Sequence, residues 1–264
     1  MKTITSDTWR VTSDEINNTS CGVHPRHGSR VTCHVSAFTL IELLVVIAII
    51  GTLAGLLFPV VGAVKRQQYI RHAQAEMAQL ETAIDRYKSV YGFYPPSPPN
   101  SPAAGNTASY VNQLYYELVG TIQTNIGGTP CYTTLDGGAQ IGADNATMTA
   151  AFGVGGFVNC TKPGAGEDAA AARNFLPELR PTQMGTIQVG NSAVWVTNLI
   201  TSVGGPDASY KPLGQQDINP WRYNSSSPTN NPGSYDLWIQ LSIAGKSNLV
   251  CNWSKQVQIG SLMP

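Results

Sequence analysis

Residues 36–51 read SAFTLIELLVVIAIIG, and the interpretation of this stretch sets the interpretation of the whole chain. From Phe38 to Val64 the sequence runs for 27 residues with Glu42 as its one charged side chain. A helix over 38–58 is about 32 Å long at 1.5 Å per residue, and a bilayer's hydrocarbon core is about 30 Å thick. The run therefore predicts a membrane-crossing helix. A secretory signal peptide cut after the VGA of 61–63 is the ordinary alternative. Its apolar region would be shorter, however, and free of carboxylates. A plain signal anchor accounts for the length and leaves Glu42 unexplained, because an ionised group in a membrane helix is costly and calls for a partner. A cut between Ala37 and Phe38 would supply one, by freeing an α-amine four residues from Glu42.

The segment AFTLIELLVVIAIIG resembles the processing motif of type IV prepilins and of type II secretion pseudopilins. The resemblance implies that a prepilin peptidase cuts the Ala37–Phe38 bond and methylates the new amine of Phe38. It also implies that Glu42 attracts the N-terminus of a neighbouring subunit during filament assembly. Ala37 stands where the family usually has Gly. Implied partners are the peptidase, other pilins or pseudopilins in a homo-oligomeric filament, an inner-membrane assembly platform and membrane lipid. Basic residues flank both ends of the run, Arg26 and Arg30 before it and Lys65, Arg66 and Arg71 after it. Orientation, with the leader inside, thus comes from the resemblance and not from charge. Gly51, Gly55 and Pro59 predict a bend or loosening, since Pro59 has no N–H for the carbonyl of Gly55. Pilin-like filaments unwind in part at such a segment.

Beyond Pro59, Ile70, Ala73, Met77, Leu80, Ile84, Tyr87 and Tyr91 recur at alternating intervals of three and four. That is one apolar helix face, expected to pack under the protein's own body. Gly92 caps this stem and Pro95 forbids its continuation. His72, beside the face, reads as a solvated stem residue and not as a ligand.

Charged residues are 12% of the chain and the formal net charge is zero, with Gly 26 and Pro 17. Such a chain has no electrostatic footprint for nucleic acid. It reads as a loop-rich, partly β extracytoplasmic protein. His24, His27, His34 and His72 are its histidines, so the body after Ala73 has no imidazole for a Ser-His or Cys-His catalytic site or for common zinc sites. No enzyme activity, cofactor or metal is expected. A helix is expected over 110–119 and strands over 186–189, 193–200 and 236–243, with 127–166 as loops and short strands. Cys131, Cys160 and Cys251 follow the expected cut. A disulfide is expected between Cys160 and Cys251, with Cys131 free in a polar loop.

Near the end, NPWRYNSSSPTNNPGSYDLW resembles the C-terminal signature of major pseudopilins, keeping Pro220, Trp221, Tyr223, Tyr235, Asp236 and Leu237. In that family a calcium loop often follows. Here no acid occurs from Ile239 onward, and calcium wants six to eight oxygens, so the site is not carried over. Trp221 and the tyrosines are expected in core and turns.

The expected architecture is α+β. A leader covers 1–37, and an N-terminal helix covers 38–92, with its span at 38–64 and its stem at 65–91. The stem packs on a β-rich head over 93–264, enlarged by a loop-rich insertion over about 97–214. The expected role is structural: a processed subunit of a type II secretion pseudopilus or type IV pilus-like filament. It would start in the inner membrane, with its head in the periplasm or at the cell surface. The alternative is a membrane-anchored binding module that uses the same processing signal.

Overall fold

The computed structural model describes residues 38–98, 111–142, 148, 151–164, 170–188, 195–202, 218–243 and 245–260, without side-chain burial at 56–61 and 63. The expected leader, Ala37 included, and much of the expected insertion lie outside the described residues. Two compact units make up the chain, Met1–Leu53 and Ala54–Pro264.

Helix α1 is Leu40–Tyr91. Its assignment has no gap at Gly51, Gly55 or Pro59. The backbone is helical throughout this segment, without the expected loosening. Phe38, Leu40, Ile41, Leu43, Leu44 and Ile47 are all exposed. Among the described residues no helix is long and apolar enough to cross a membrane. The apolar stretch of α1 with described side chains, 40–55, is about 24 Å long at 1.5 Å per residue.

In the second unit the three-four spacing has the expected result. Ile70, Ala73, Leu80, Ile84 and Tyr87 are buried, while Met77 and Tyr91 pack at the edge of the same core. The face thus packs on the protein's own body. Gly92 closes α1 with φ of 82° and a bond from its N–H to the Lys88 carbonyl (2.8 Å). The chain after it is tied down at once. The Pro95 carbonyl accepts from the Tyr223 hydroxyl (2.8 Å) and the Ser225 hydroxyl (2.7 Å).

Helix α2, Leu114–Val119, starts later than the expected 110–119. The side chain of Asn112 accepts the Leu114 N–H (3.2 Å), a local turn that competes with an earlier start. All six residues of α2 are buried.

Ten strands follow. β1 (Thr121–Ile126), β2 (Thr129–Thr134), β3 (Gln140–Gly142) and β4 (Cys160–Thr161) form one sheet in the order β3-β2-β1-β4. β1 and β2 are a hairpin whose two-residue turn, Gly127–Gly128, has φ of 60° and 85°. Such a turn needs positive φ at both positions. β5 (Met184–Gln188) and β6 (Trp195–Leu199) pair antiparallel, and Ile200 then bridges to Pro220. β7 (Arg222–Asn224), β8 (Asp236–Ile243), β9 (Lys246–Cys251) and β10 (Ser254–Ile259) form the last sheet, in the order β10-β9-β8-β7.

One face of β8, with Leu237, Ile239, Leu241 and Ile243, joins the main core with α1. Trp238, on the other face, clusters with Leu249, Cys251 and Trp253. Arg66 of α1 also reaches this sheet, donating from Nε and Nη2 to Asn248 Oδ1 (3.1 and 2.7 Å).

The expected disulfide is corrected. Cys131, Cys160 and Cys251 are all buried free thiols. Cys160 lies in β4 of the first sheet and Cys251 in β9 of the last, so the two thiols are held in separate ladders. Cys131 is free as expected, but it lies inside β2 and not in a loop.

Candidate functional site

The N-terminal site is built on the first turn of α1. Its first amide groups have no partner within a helix and must be satisfied otherwise. Thr39 and Glu42 do this reciprocally. Glu42 Oε2 accepts the Thr39 N–H and the Thr39 hydroxyl, both at 2.8 Å, and the Glu42 N–H points back at Thr39 Oγ1 (3.4 Å). This is a capping box, a Ser/Thr followed three residues later by Glu or Gln. The signal for it in the sequence is TLIE, Thr39 followed three residues later by Glu42. Glu42 thus has a use inside an isolated chain. Among the described residues its Oε1 has no hydrogen-bond partner, so one carboxylate oxygen remains open to a cation. Phe38, next to the cap, is exposed. A cut before Phe38 leaves the Thr39 N–H in place, so the cap survives it.

In the head, the buried carboxylate of Glu117 on α2 joins three elements. Oε1 accepts the Val158 N–H (2.8 Å), and Oε2 accepts the Asn159 N–H and the Tyr87 hydroxyl of α1, each at 3.0 Å. Burial pushes this carboxyl above its ordinary range, only partly offset by those donors. Asn159 extends the network, donating to the Glu117 and Arg173 carbonyls (2.7 and 2.6 Å) and accepting from the Tyr91 hydroxyl (2.8 Å). Sequence reading missed Glu117, since one acid within an apolar helix gives no hint of its burial. These acceptors and donors saturate one another, an arrangement that holds stem to head.

The segment resembling the pseudopilin C-terminus is also internal. Trp221, Tyr223, Tyr235 and Leu237 are buried, as expected of core residues. Asp236 is buried at the start of β8. Its Oδ2 accepts the backbone N–H of Thr229 and Asn230 (2.9 Å each) and the Asn230 amide (3.1 Å), and its Oδ1 accepts the Asn231 N–H (2.9 Å). A carboxylate that accepts four N–H donors in this way organises its own loop. Among the described residues no three His, Cys, Asp or Glu side chains gather as a metal cluster.

His72 is not simply solvated. Its Nε2 lies 3.0 Å from Ser202 Oγ and 3.9 Å from Glu76 Oε1. Glu76 is buried and also accepts from the Thr201 hydroxyl (2.8 Å).

No curated protein and no solved structure matches the chain. Residues 34–58 match the family model described as the prokaryotic N-terminal methylation motif, so the chain carries the prepilin-type signature of type IV pilin-like proteins and pseudopilins.

Proposed function

We propose that the chain is a structural subunit of a pilin-like filament: a type II secretion pseudopilus or a type IV pilus-like fibre that supports protein export. Prepilin peptidase cuts the Ala37–Phe38 bond and methylates Phe38. The apolar run over 38–64 then holds the subunit in the inner membrane as a single pass, with the head in the periplasm or at the cell surface. Polymerisation by an inner-membrane assembly platform moves subunits out of the bilayer and into a filament of like subunits. Glu42 neutralises the Phe38 amine of a neighbouring subunit, and the Gly51, Gly55 and Pro59 segment loosens as the helices pack.

One observation carries the reading: the methylation motif at 34–58, with Phe38 and Glu42 at its expected positions. The open Oε1 of Glu42 supports it further, since capping and neutralisation use different oxygens of one carboxylate. The test is Glu42→Gln expressed with the other components at normal levels, following membrane content, N-terminal processing and filament yield. Processing should be normal and filament yield strongly reduced.

The capping box favours the second reading, a membrane-anchored binding module, because it gives Glu42 a purpose without a filament. Normal filament yield from Glu42→Gln would contradict the charge role of Glu42, and no filament containing the wild-type chain would select the second reading.

A further inference from the structure

We propose that Cys131 and Gln140 form an internal thioester, through which the head captures the ε-amine of a lysine on a partner protein as an amide. Cys131 of β2 pairs with Gly142 of β3, and Thr133 with Gln140, so Gln140 sits diagonally beside Cys131 on one face of the sheet. Gln140 Nε2 is 3.0 Å from Cys131 Sγ. This face is turned away from the main core. Tyr132 and Ile141, which alternate with the pair along β2 and β3, belong to the core cluster. Ile122 and Ile126 of β1, in register with Thr133 and Thr129 on the face of Cys131, are exposed. Cys160 and Cys251 each sit in an apolar cluster, whereas Cys131 sits in neither, although it is only 6% exposed. A thiol outside both clusters, lying against a side-chain amide, is placed for chemistry with that amide.

The step balances without a further reactant. Sγ of Cys131 bonds to Cδ of Gln140, the Cδ–Nε2 bond breaks, and the thiol proton leaves with the nitrogen as ammonia; nothing is oxidised or reduced. An amide C–N bond is about 1.33 Å long, so Cδ lies no more than about 4.4 Å from the sulfur. The last torsion of a Gln side chain is broad, and turning it brings the carbon toward the roughly 3–3.5 Å of an attack geometry. Well-oriented reactants held in one molecule reach effective molarities of about 10⁵–10⁸ M, and escape of ammonia draws the step forward. In the second step the lysine nitrogen bonds to Cδ, the Cδ–Sγ bond breaks, and one amine proton returns to the sulfur. Gln140 has then exchanged its amide nitrogen for that of the partner, and Cys131 is a thiol again. The approach is open, since Gln140 is exposed and a Cβ at Gly142, beside Cys131, would meet no described atom within 4 Å. The proposal does not depend on the filament reading.

The experiment is intact-mass and peptide mass spectrometry of the processed full-length chain in detergent, before and after incubation with methylamine or with a lysine-containing peptide. The chain is expected to be lighter than its sequence by one ammonia, with Cys131 resistant to alkylation in denaturant. Either amine should then appear at Gln140 in amide linkage, and the Cys131 thiol should become alkylatable. Uptake of methylamine without uptake of the peptide would contradict a lysine partner. Cys131→Ala should restore the full mass and abolish uptake, as should Gln140→Ala, a change at an exposed position that leaves the fold intact. A wild-type chain of full mass with an alkylatable Cys131 and an unmodified Gln140 would overturn the thioester. So would methylamine uptake at Gln140 that survives Cys131→Ala.

Discussion

Replacing Glu42 by Gln separates the two uses of its carboxylate, because an amide oxygen still accepts the Thr39 N–H but carries no charge. Glu42→Leu removes both uses, so a comparison of the two variants distinguishes helix capping from charge neutralisation. If charge drives assembly, both variants lose filament yield equally. Gly120 gives a residue-scale prediction in the head. Its φ of 82° and ψ of 154° lie in a region that only glycine adopts comfortably. A Cβ there would sit 2.8 Å from the Arg173 carbonyl oxygen and 3.1 Å from Asn159 Nδ2. Gly120→Ala should therefore destabilise the head by roughly 2–5 kcal/mol, combining backbone strain with overpacking against backbone. Thermal or urea unfolding measures it, and an unchanged midpoint would mean that the turn is not as described. Asp236→Ala should cost about 2–4 kcal/mol, because it orphans the N–H groups of 229–231 in a part-buried loop. Calcium, by the same geometry, should leave the melting temperature of the wild type unmoved, since the Asp236 oxygens already have their donors.

At the scale of elements, α2 and its Glu117 make stability depend on pH in a defined direction. Burial raises the folded-state pKa of Glu117 above its ordinary value. The folded state then binds the proton more tightly than the unfolded chain does. The resulting stability is complete below about pH 4.5, the ordinary value, and is lost as pH rises through the raised one. Glu117→Gln removes this slope. It also turns an amide N–H toward the N–H of Val158 or Asn159, which should cost about 1–3 kcal/mol. Unfolding free energies of the two proteins should therefore diverge more at low pH than at neutral pH; parallel curves would contradict the burial argument.

Elements differed in how legible they were. The stem face could be read because seven apolar residues hold a strict helical interval. The strand expected over 236–243 was found as β8. Short strands were expected over 127–166, but β1 and its hairpin with β2 were not, although TIQTNIGGTPCYTT offers a glycine pair between two six-residue segments. Its strands are threonine-rich and only partly buried, so hydrophobic alternation is weak there. The disulfide expectation failed because apolar neighbours of a cysteine report burial and say nothing of which ladder it joins.

For the whole molecule, the function-bearing signal is concentrated in a short segment, while the fold of the head rests on long-range pairing. The 25 residues that match the methylation motif, 34–58, contain the expected cut site, the residue expected to be methylated and the carboxylate proposed for assembly. Each of these expectations rests on local sequence chemistry. His72, Glu76 and Ser202 could not be read together, since Ser202 is 130 residues from His72. Nothing in the spacing of the sequence brings the end of β6 to the stem. The central claim is that the processed chain is a building block of a filament. Mass spectrometry of filaments sheared from cells tests it most directly, since it reads composition and the N-terminus together. The expected result is this chain as an abundant component, beginning at Phe38 and carrying one methyl group on its amine. A chain confined to the membrane fraction and missing from sheared filaments, or one that begins at Val64, would contradict the account.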